Sequence, residues 1–144
     1  MWHILFVNHY VIVCTDTPHT HYTIIGSGST VVYAVNRLRE LAQQNNWKNI
    51  ICVPTSFQSE LLLIDAGLTL GSLNNHNVID VTIDGSDECD TNLNCIKGGG
   101  GCHLQEKLVA SNSKKFVIVA DSRKNSNKLG EQWNKGIRIY VHIY

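Results

Sequence analysis

The segment KGGGGCHLQEK, residues 97–107, sets a cation beside four consecutive glycines and places a carboxylate, Glu106, five residues beyond the last of them. Bare backbone can approach a ligand closely and aim several N–H groups at developing negative charge, and Lys97 adds a full positive charge. A carboxylate in reach can take a proton from carbon. By itself a helical glutamate is ordinarily a solvated residue paired with a neighbour such as Lys107, so the case for Glu106 as a base rests on the loop in front of it.

Two other loops supply what such a base would need. GSGST, with Gly26, Ser27, Gly28, Ser29 and Thr30, opens a helix whose free N–H groups and positive dipole end suit a phosphate, with three hydroxyls to help. The plainer alternative is a tight turn with a capping serine. The loop lacks the third glycine of a dinucleotide fingerprint and the GK[ST] of a P-loop, which disfavours a dinucleotide or ATP. DGSDE brings Asp84, Asp87 and Glu88 within five residues, with Gly85 allowing a sharp turn. Acids there can accept hydrogen bonds from sugar hydroxyls, or one can carry a proton if its neighbours raise its pKa. An Asx-turn plus a helix cap is the alternative.

Two metal readings fail on spacing. Cys89, Cys95, Cys102 and His103 lack the short paired ligands of a zinc site. Asp90, Asn92 and Asn94 begin like an EF-hand, but Cys95 stands where that loop needs glycine and Gly101 where it needs a bidentate glutamate. No metal and no other cofactor is expected.

These loops need a scaffold, and the pattern of the chain provides one. TII (residues 23–25) reads as a strand, residues 30–46 as an amphipathic helix with Val31, Val35, Leu38 and Ala42 on one face, and 49–55 as a second strand. Residues 56–67 read as a helix started by Ser56 and closed by Gly67. A strand over 78–84, a helix over 103–113, a strand over 115–121 and a fifth strand over 137–144 complete the order. Alternation of this kind predicts an α/β fold, an open, mostly parallel sheet with helices on both faces. Ligands bind such sheets beyond the carboxyl ends of the strands, which is where GSGST, PTS, DGSDE and ADSRK all fall.

A chain of 144 residues is the size of one domain, and twelve basic residues balance twelve acidic ones, so no field capable of capturing nucleic acid by charge is present. The expected partner is a small molecule. Five cysteines without a C-x-x-C pair fit free thiols in a reducing, cytoplasmic compartment better than a disulfide framework. The apolar start, MWHILFVNHYVIVC, lacks the basic region and clean cleavage site of a signal peptide and is too short and interrupted to span a bilayer. An apolar strand or an irregular leader over the edge of the domain is expected there.

GSGST, PTSFQS, AGLTLGSL, IDVTIDGSDE, IKGGGG, QEKLVAS and VIVADSRK, in this order across residues 23–142, closely resemble ribose-5-phosphate isomerase of the A type. The resemblance implies a Rossmann-like isomerase core that interconverts D-ribose 5-phosphate and D-ribulose 5-phosphate through an enediolate, without a metal, in the non-oxidative pentose phosphate pathway. It implies that Glu106 moves the proton between C1 and C2, that Asp84 relays a hydroxyl proton, and that Lys97 with Gly98, Gly99 and Gly100 surrounds the reacting end. Ser27, Gly28, Ser29 and Thr30 would form the first substrate loop. Asp84, Gly85, Ser86 and Asp87 would line the sugar, and Lys124 would add a contact. Ser27 stands where many members have threonine, and Ser86 where alanine is usual.

Members of that family begin with a different helix, continue into a smaller α+β lobe that closes the site, and form homo-oligomers. Residues 1–22 are therefore read as a divergent leader, and 23–144 as a catalytic core lacking that lobe and leaving apolar surface uncovered. A non-catalytic sugar-phosphate-binding module, or an inactive fragment, is the alternative reading.

Overall fold

The structure, a computed structural model, describes residues 2–6, 21–75, 78–139 and 141, with residues 2–6 as backbone alone. Its strands are β1 (Trp2–Phe6), β2 (His21–Ile25), β3 (Ile50–Pro54), β4 (Thr69–Leu70), β5 (Ile79–Asp84), β6 (Glu88–Asp90), β7 (Cys95–Ile96), β8 (Ser113–Ala120) and β9 (Asn125–Ser126). The helices are α1 (Val31–Gln44), α2 (Phe57–Asp65) and α3 (His103–Ser111). Six strands form one sheet in the order β1-β8-β5-β2-β3-β4, and every neighbouring pair is parallel.

A parallel sheet is covered on both faces, which is why its strands read as apolar runs. Along β8 the side chains alternate. Phe116, Ile118 and Ala120 pack with Cys89 on one face, while Val117 and Val119 join the cluster under α1 and α2 on the other. Val31, Ala34, Val35 and Leu38 recur at helical spacing on α1 and meet Ile25 and Ile83, with Leu63 and Ala66 from the α2 segment completing that layer. On the opposite face α3 sets Val109 against Ile24, Val53 and Ile79. The expected two-faced α/β arrangement is present.

Local chemistry sets the helix ends. Ser56 accepts the Ser59 amide and Ser59 returns a bond to the Ser56 backbone, a capping box that starts α2, and Gly67 follows its end at φ +69°. In α1 the amino end has no side-chain cap and no acid in its first turn.

From β2 the chain proceeds to β3 and β4 on one side, then returns to place β5 on the other side of β2 and β8 beyond it. The carboxyl ends of β2 and β5 are thus the topological switch point, where departing loops diverge and leave a crevice. A small second sheet, β7-β6-β9, forms from the chain beyond that point, with β6 antiparallel to β7 and parallel to β9. Strands of two or three residues carry too little alternation to be read from sequence, and these were not foreseen.

Two expectations about the ends meet different outcomes. The strand expected over 137–144 is absent where the structure describes that span: residues 137–139 and 141 lie outside any strand, with Ile137, Ile139 and Val141 each more than two-thirds exposed, and the remainder lies outside the described residues. Their alternation resembles that of a strand, but the described residues there pair with none, and the outer edge of β8 is taken. Taking it is β1, whose Trp2–Phe6 backbone pairs in parallel with Phe116–Ala120, so the start of the leader forms an edge strand. The boundary drawn at 22/23 runs through β2, which begins at His21. Uncovered apolar surface is present as well, most plainly Phe57, Leu61 and Ile64 along α2.

Candidate active site

At the switch point two strand ends are pressed together. The Gly26 amide donates to the Ile83 carbonyl at 2.8 Å, and a Cβ on Gly26 would lie 1.8 Å from Asp84 Oδ1. Only glycine lets the loop after β2 cross the end of β5 here. Beneath that crossing Asp84 is fully buried and accepts the Gly85 amide through Oδ1 at 2.7 Å.

Lys97 reaches the same place from the far side of the β6–β7 hairpin. Its Nζ lies 2.9 Å from Asp84 Oδ2 and 3.3 Å from Glu106 Oε2, and it also donates to the Gly85 carbonyl. Neither carboxyl oxygen receives an aligned hydrogen bond, so the ammonium charge is what offsets burying them. Burial pushes the Asp84 carboxyl above its ordinary pKa, Lys97 pulls it back, and the nearby Glu106 charge adds to the rise. The result is one cation between two carboxylates, an arrangement able to move protons.

Gly98, Gly99 and Gly100 divide by cause. Gly98 has φ +84°, and a Cβ there would meet the His103 Cβ at 2.1 Å; a Cβ on Gly99 would lie 2.4 Å from the Trp133 ring and 2.7 Å from Asp87 Oδ1. The protein's own packing therefore requires these two. At Gly100 a Cβ would meet nothing within 4 Å. Of the positions expected to keep side chains out of a ligand's way, Gly100 is the one with no internal reason to be glycine.

Above this group opens a cleft of about 590 Å³. Ser27, Gly28, Ser29 and Thr30 line it, as do Gly85, Ser86, Asp87, Lys97, Gly98, Gly99, Gly100, Glu106 and Lys124. Asp84 does not; it meets the cleft through Lys97. Two of the lining side chains are engaged elsewhere. Asp87 Oδ2 accepts the Gly99 amide at 2.7 Å, and the Ser86 hydroxyl donates to the carbonyls of Glu88 and Ile96, so both hold the loops together.

The sequence reading missed four lining residues, Ser56, Phe57, Gln58 and Cys102. Ser27 Oγ donates to Ser56 Oγ at 2.7 Å, and Gln58 Oε1 accepts the Gly28 amide at 3.3 Å, so the second strand-to-helix loop braces the first. PTS was noted as a loop at the right edge, but a helix-capping serine gave no sign of this second use. Glu88 was missed as a brace as well. Fully buried, it accepts the amides of Gly130, Glu131, Gln132 and Trp133 at 2.8 to 3.3 Å. Burial opposes its ionisation, but these amide bonds prevail and hold its pKa down to about 2. The turn so fixed carries Trp133 onto Gly99.

The metal look-alikes have other uses. Asp90 Oδ1 accepts the amides of Asn92 and Asn94 at 2.9 and 2.8 Å, and Oδ2 the Asn94 side chain at 2.8 Å, which is an Asx-type turn. Among the described residues no group of three or more His, Cys, Asp or Glu side chains is placed to hold a metal ion, and no helix is long and apolar enough to cross a membrane.

Comparison with known proteins gives a consistent result. The profile of the family described as ribose 5-phosphate isomerase A (phosphoriboisomerase A) matches residues 51–143. A ribose-5-phosphate isomerase of Dictyostelium discoideum is 60% identical over 117 residues, covering 81% of this chain and 49% of that protein. The solved ribose 5-phosphate isomerase A of Methanocaldococcus jannaschii superposes with a TM-score of 0.73 at 34% identity, over 81% of this chain and 52% of that one. A D-ribose-5-phosphate isomerase solved in complex with phospho-erythronic acid gives a TM-score of 0.75 at 34% identity, over 81% and 51%. The chain spans about half the length of each of these relatives.

Proposed function

This chain belongs to the ribose 5-phosphate isomerase A family, and from that premise we propose that its cleft interconverts D-ribose 5-phosphate and D-ribulose 5-phosphate, the aldose-ketose step of the non-oxidative pentose phosphate pathway. The observation that carries the reading is Lys97 Nζ standing between Asp84 and Glu106 below a cleft lined by amide-rich loops. The phosphate goes to Gly26–Thr30, where α1 starts without a side-chain cap or an acid and so leaves its first amides for an anion.

With the open-chain sugar in place, Glu106 takes the C2 proton and the electrons move toward O1, giving an enediolate. Lys97 and the Gly98–Gly100 backbone stabilise that charge. Asp84, which burial inclines to keep a proton, exchanges one with the sugar oxygens through Lys97. Glu106 then returns its proton to C1 and ends as the carboxylate it began as, so no external acid, base or metal is consumed. The sugar-phosphate partner, a cytoplasmic setting and assembly into homo-oligomers belong to the same proposal. The free thiols Cys89, Cys95 and Cys102 fit the setting, and the exposed α2 stripe fits the assembly.

The test is proton exchange followed by NMR on the purified chain in deuterated water. D-ribose 5-phosphate should gain deuterium at C2 as the ketose forms, and Glu106→Gln should abolish both. Exchange that survives in that variant would remove Glu106 from the role of base. Saturable binding of a phosphosugar acid without any exchange in the wild-type chain would replace catalysis by the binding-module reading.

A further inference from the structure

Outside the cleft, the densest unassigned chemistry is in the β6–β7 hairpin. Cys89 is the central residue of β6 and Cys95 the first of β7, and the antiparallel register puts them directly opposite one another. Their sulfurs are 3.5 Å apart and both thiols are free. Residues opposed in this way have Cα atoms about 4.5–5.5 Å apart, inside the range that a disulfide spans. Joining the sulfurs therefore asks for side-chain rotation, with the strands already in place.

We propose that Cys89 and Cys95 are a dithiol modification site, converted by a peroxide to an intramolecular disulfide across the hairpin.

Three further observations support this. The turn between the two residues is preset, because Asp90 holds both Asn92 and Asn94, so little chain entropy remains to be lost on closure. The pair also gives up its first proton readily. The two thiols share a hydrogen bond in which either can donate, so the charge left by the first ionisation is stabilised by the proton that remains, whichever sulfur carries it, with Ser86 and Lys97 assisting and burial and Asp90 opposing. Finally, the pair is reachable from one side. Cys89 is buried, but Cys95 lines a hollow of about 980 Å³ that it shares with His103 and Arg138.

The steps balance as follows. With one proton shared between the sulfurs, its transfer to Cys89 leaves a thiolate at Cys95, at the wall of the hollow. That sulfur attacks one oxygen of hydrogen peroxide; the S–O bond forms, the O–O bond breaks, and the leaving hydroxide takes a proton to become water. Cys89 then attacks the Cys95 sulfenic sulfur, forming S–S and expelling hydroxide, which leaves as water with the remaining proton. Two thiols and one peroxide become one disulfide and two waters; the sulfurs lose two electrons and the peroxide oxygens gain them.

The reduced chain would be treated with hydrogen peroxide, alkylated, digested and mapped by mass spectrometry. The expected product is a peptide containing Cys89 joined to Cys95, with two fewer alkylatable thiols and reversal by dithiothreitol. In Cys89→Ser, Cys95 should accumulate sulfenic acid trapped by dimedone at several times the wild-type yield, since its resolving partner is gone. Peroxide that oxidises Cys102 while Cys89 and Cys95 stay reduced would overturn the proposal. So would oxidation of either cysteine to sulfinic acid, or its linkage to another chain, without the Cys89–Cys95 cross-link. The wild-type map decides the matter even if the serine variant does not fold, and it is independent of isomerase activity.

Discussion

Replacing Lys97 with methionine would keep the length of the side chain and remove its ammonium from between Asp84 and Glu106. The lysine side chain is 19% exposed, Asp84 is fully buried and Glu106 is nearly so, so solvent offers little replacement for the lost charge. Breaking a buried ion pair by removing one partner costs about 3–5 kcal/mol, and the partial exposure of Lys97 places the expected loss near the lower end, about 3 kcal/mol at neutral pH. That loss should depend on pH in a definite direction. Asp84 has a folded pKa raised above its ordinary 3.8, so its proton favours the folded state; this contribution is fully present below 3.8 and is lost as pH rises through the folded value. Without Lys97 the folded value moves higher still. As Asp84 takes up its proton toward acid pH, wild type and variant should converge on about 1 kcal/mol, the lost bond to the Gly85 carbonyl. The gap should widen with a limiting slope of about 1.4 kcal/mol per pH unit. Urea unfolding followed by tryptophan fluorescence, from about pH 4 to about pH 8, measures it. A loss that is equal at both ends of that range, or larger at the acid end, would mean that the ammonium does not compensate the buried carboxylates, and the electrostatic account of the site would fall.

Gly99→Ala should destabilise the fold by about 1–3 kcal/mol in the same urea assay, because its Cβ is driven into Trp133 and Asp87. Gly100→Ala should stay within about 0.5 kcal/mol of wild type, since its Cβ would meet no protein atom within 4 Å, yet weaken titrated binding of a phosphosugar acid if that space takes the ligand as proposed. Ser56→Ala removes the acceptor of the α2 capping box and should cost about 1 kcal/mol. Glu88 has a folded pKa of about 2 against an ordinary 4.5, so it contributes stability above 4.5 that is lost as pH falls toward 2; Glu88→Gln should flatten the acid limb of a pH unfolding curve across that interval.

Much of this site was legible because each part of it is local. GSGST, DGSDE and KGGGG announce themselves by composition, and the rule that ligands gather at the carboxyl ends of parallel strands brings them to one edge. Helix positions followed from spacing, as with Val31, Val35 and Leu38. The parts that were not legible depend on residues distant along the chain. Glu88 looked like one more acid in a turn, and its partners lie 42 to 45 residues later. Cys89 and Cys95 looked incidental until a two-residue strand placed one opposite the other. Ile137, Ile139 and Val141 carry the alternation of a strand, but a strand is made by pairing with a distant segment, which alternation alone does not supply, and these residues lie exposed outside any strand.

The sequence by itself determined the alternation of the main strands and helices and the loops gathered at one edge of the sheet, and it made Glu106, Lys97 and the glycine backbone the candidates for base, cation and amide donors, because these follow from residue type and short spacing. The tertiary structure decided how they are coupled. Only folding brings Lys97 to within 3.3 Å of both carboxylates, sets Asp84 beneath the cleft, and assigns Gly98 and Gly99 to packing while leaving open space beside Gly100. The physical reason is that burial, charge pairing and close approach are properties of neighbours in space, and the backbone crossing at Gly26 that creates those neighbours joins segments more than fifty residues apart.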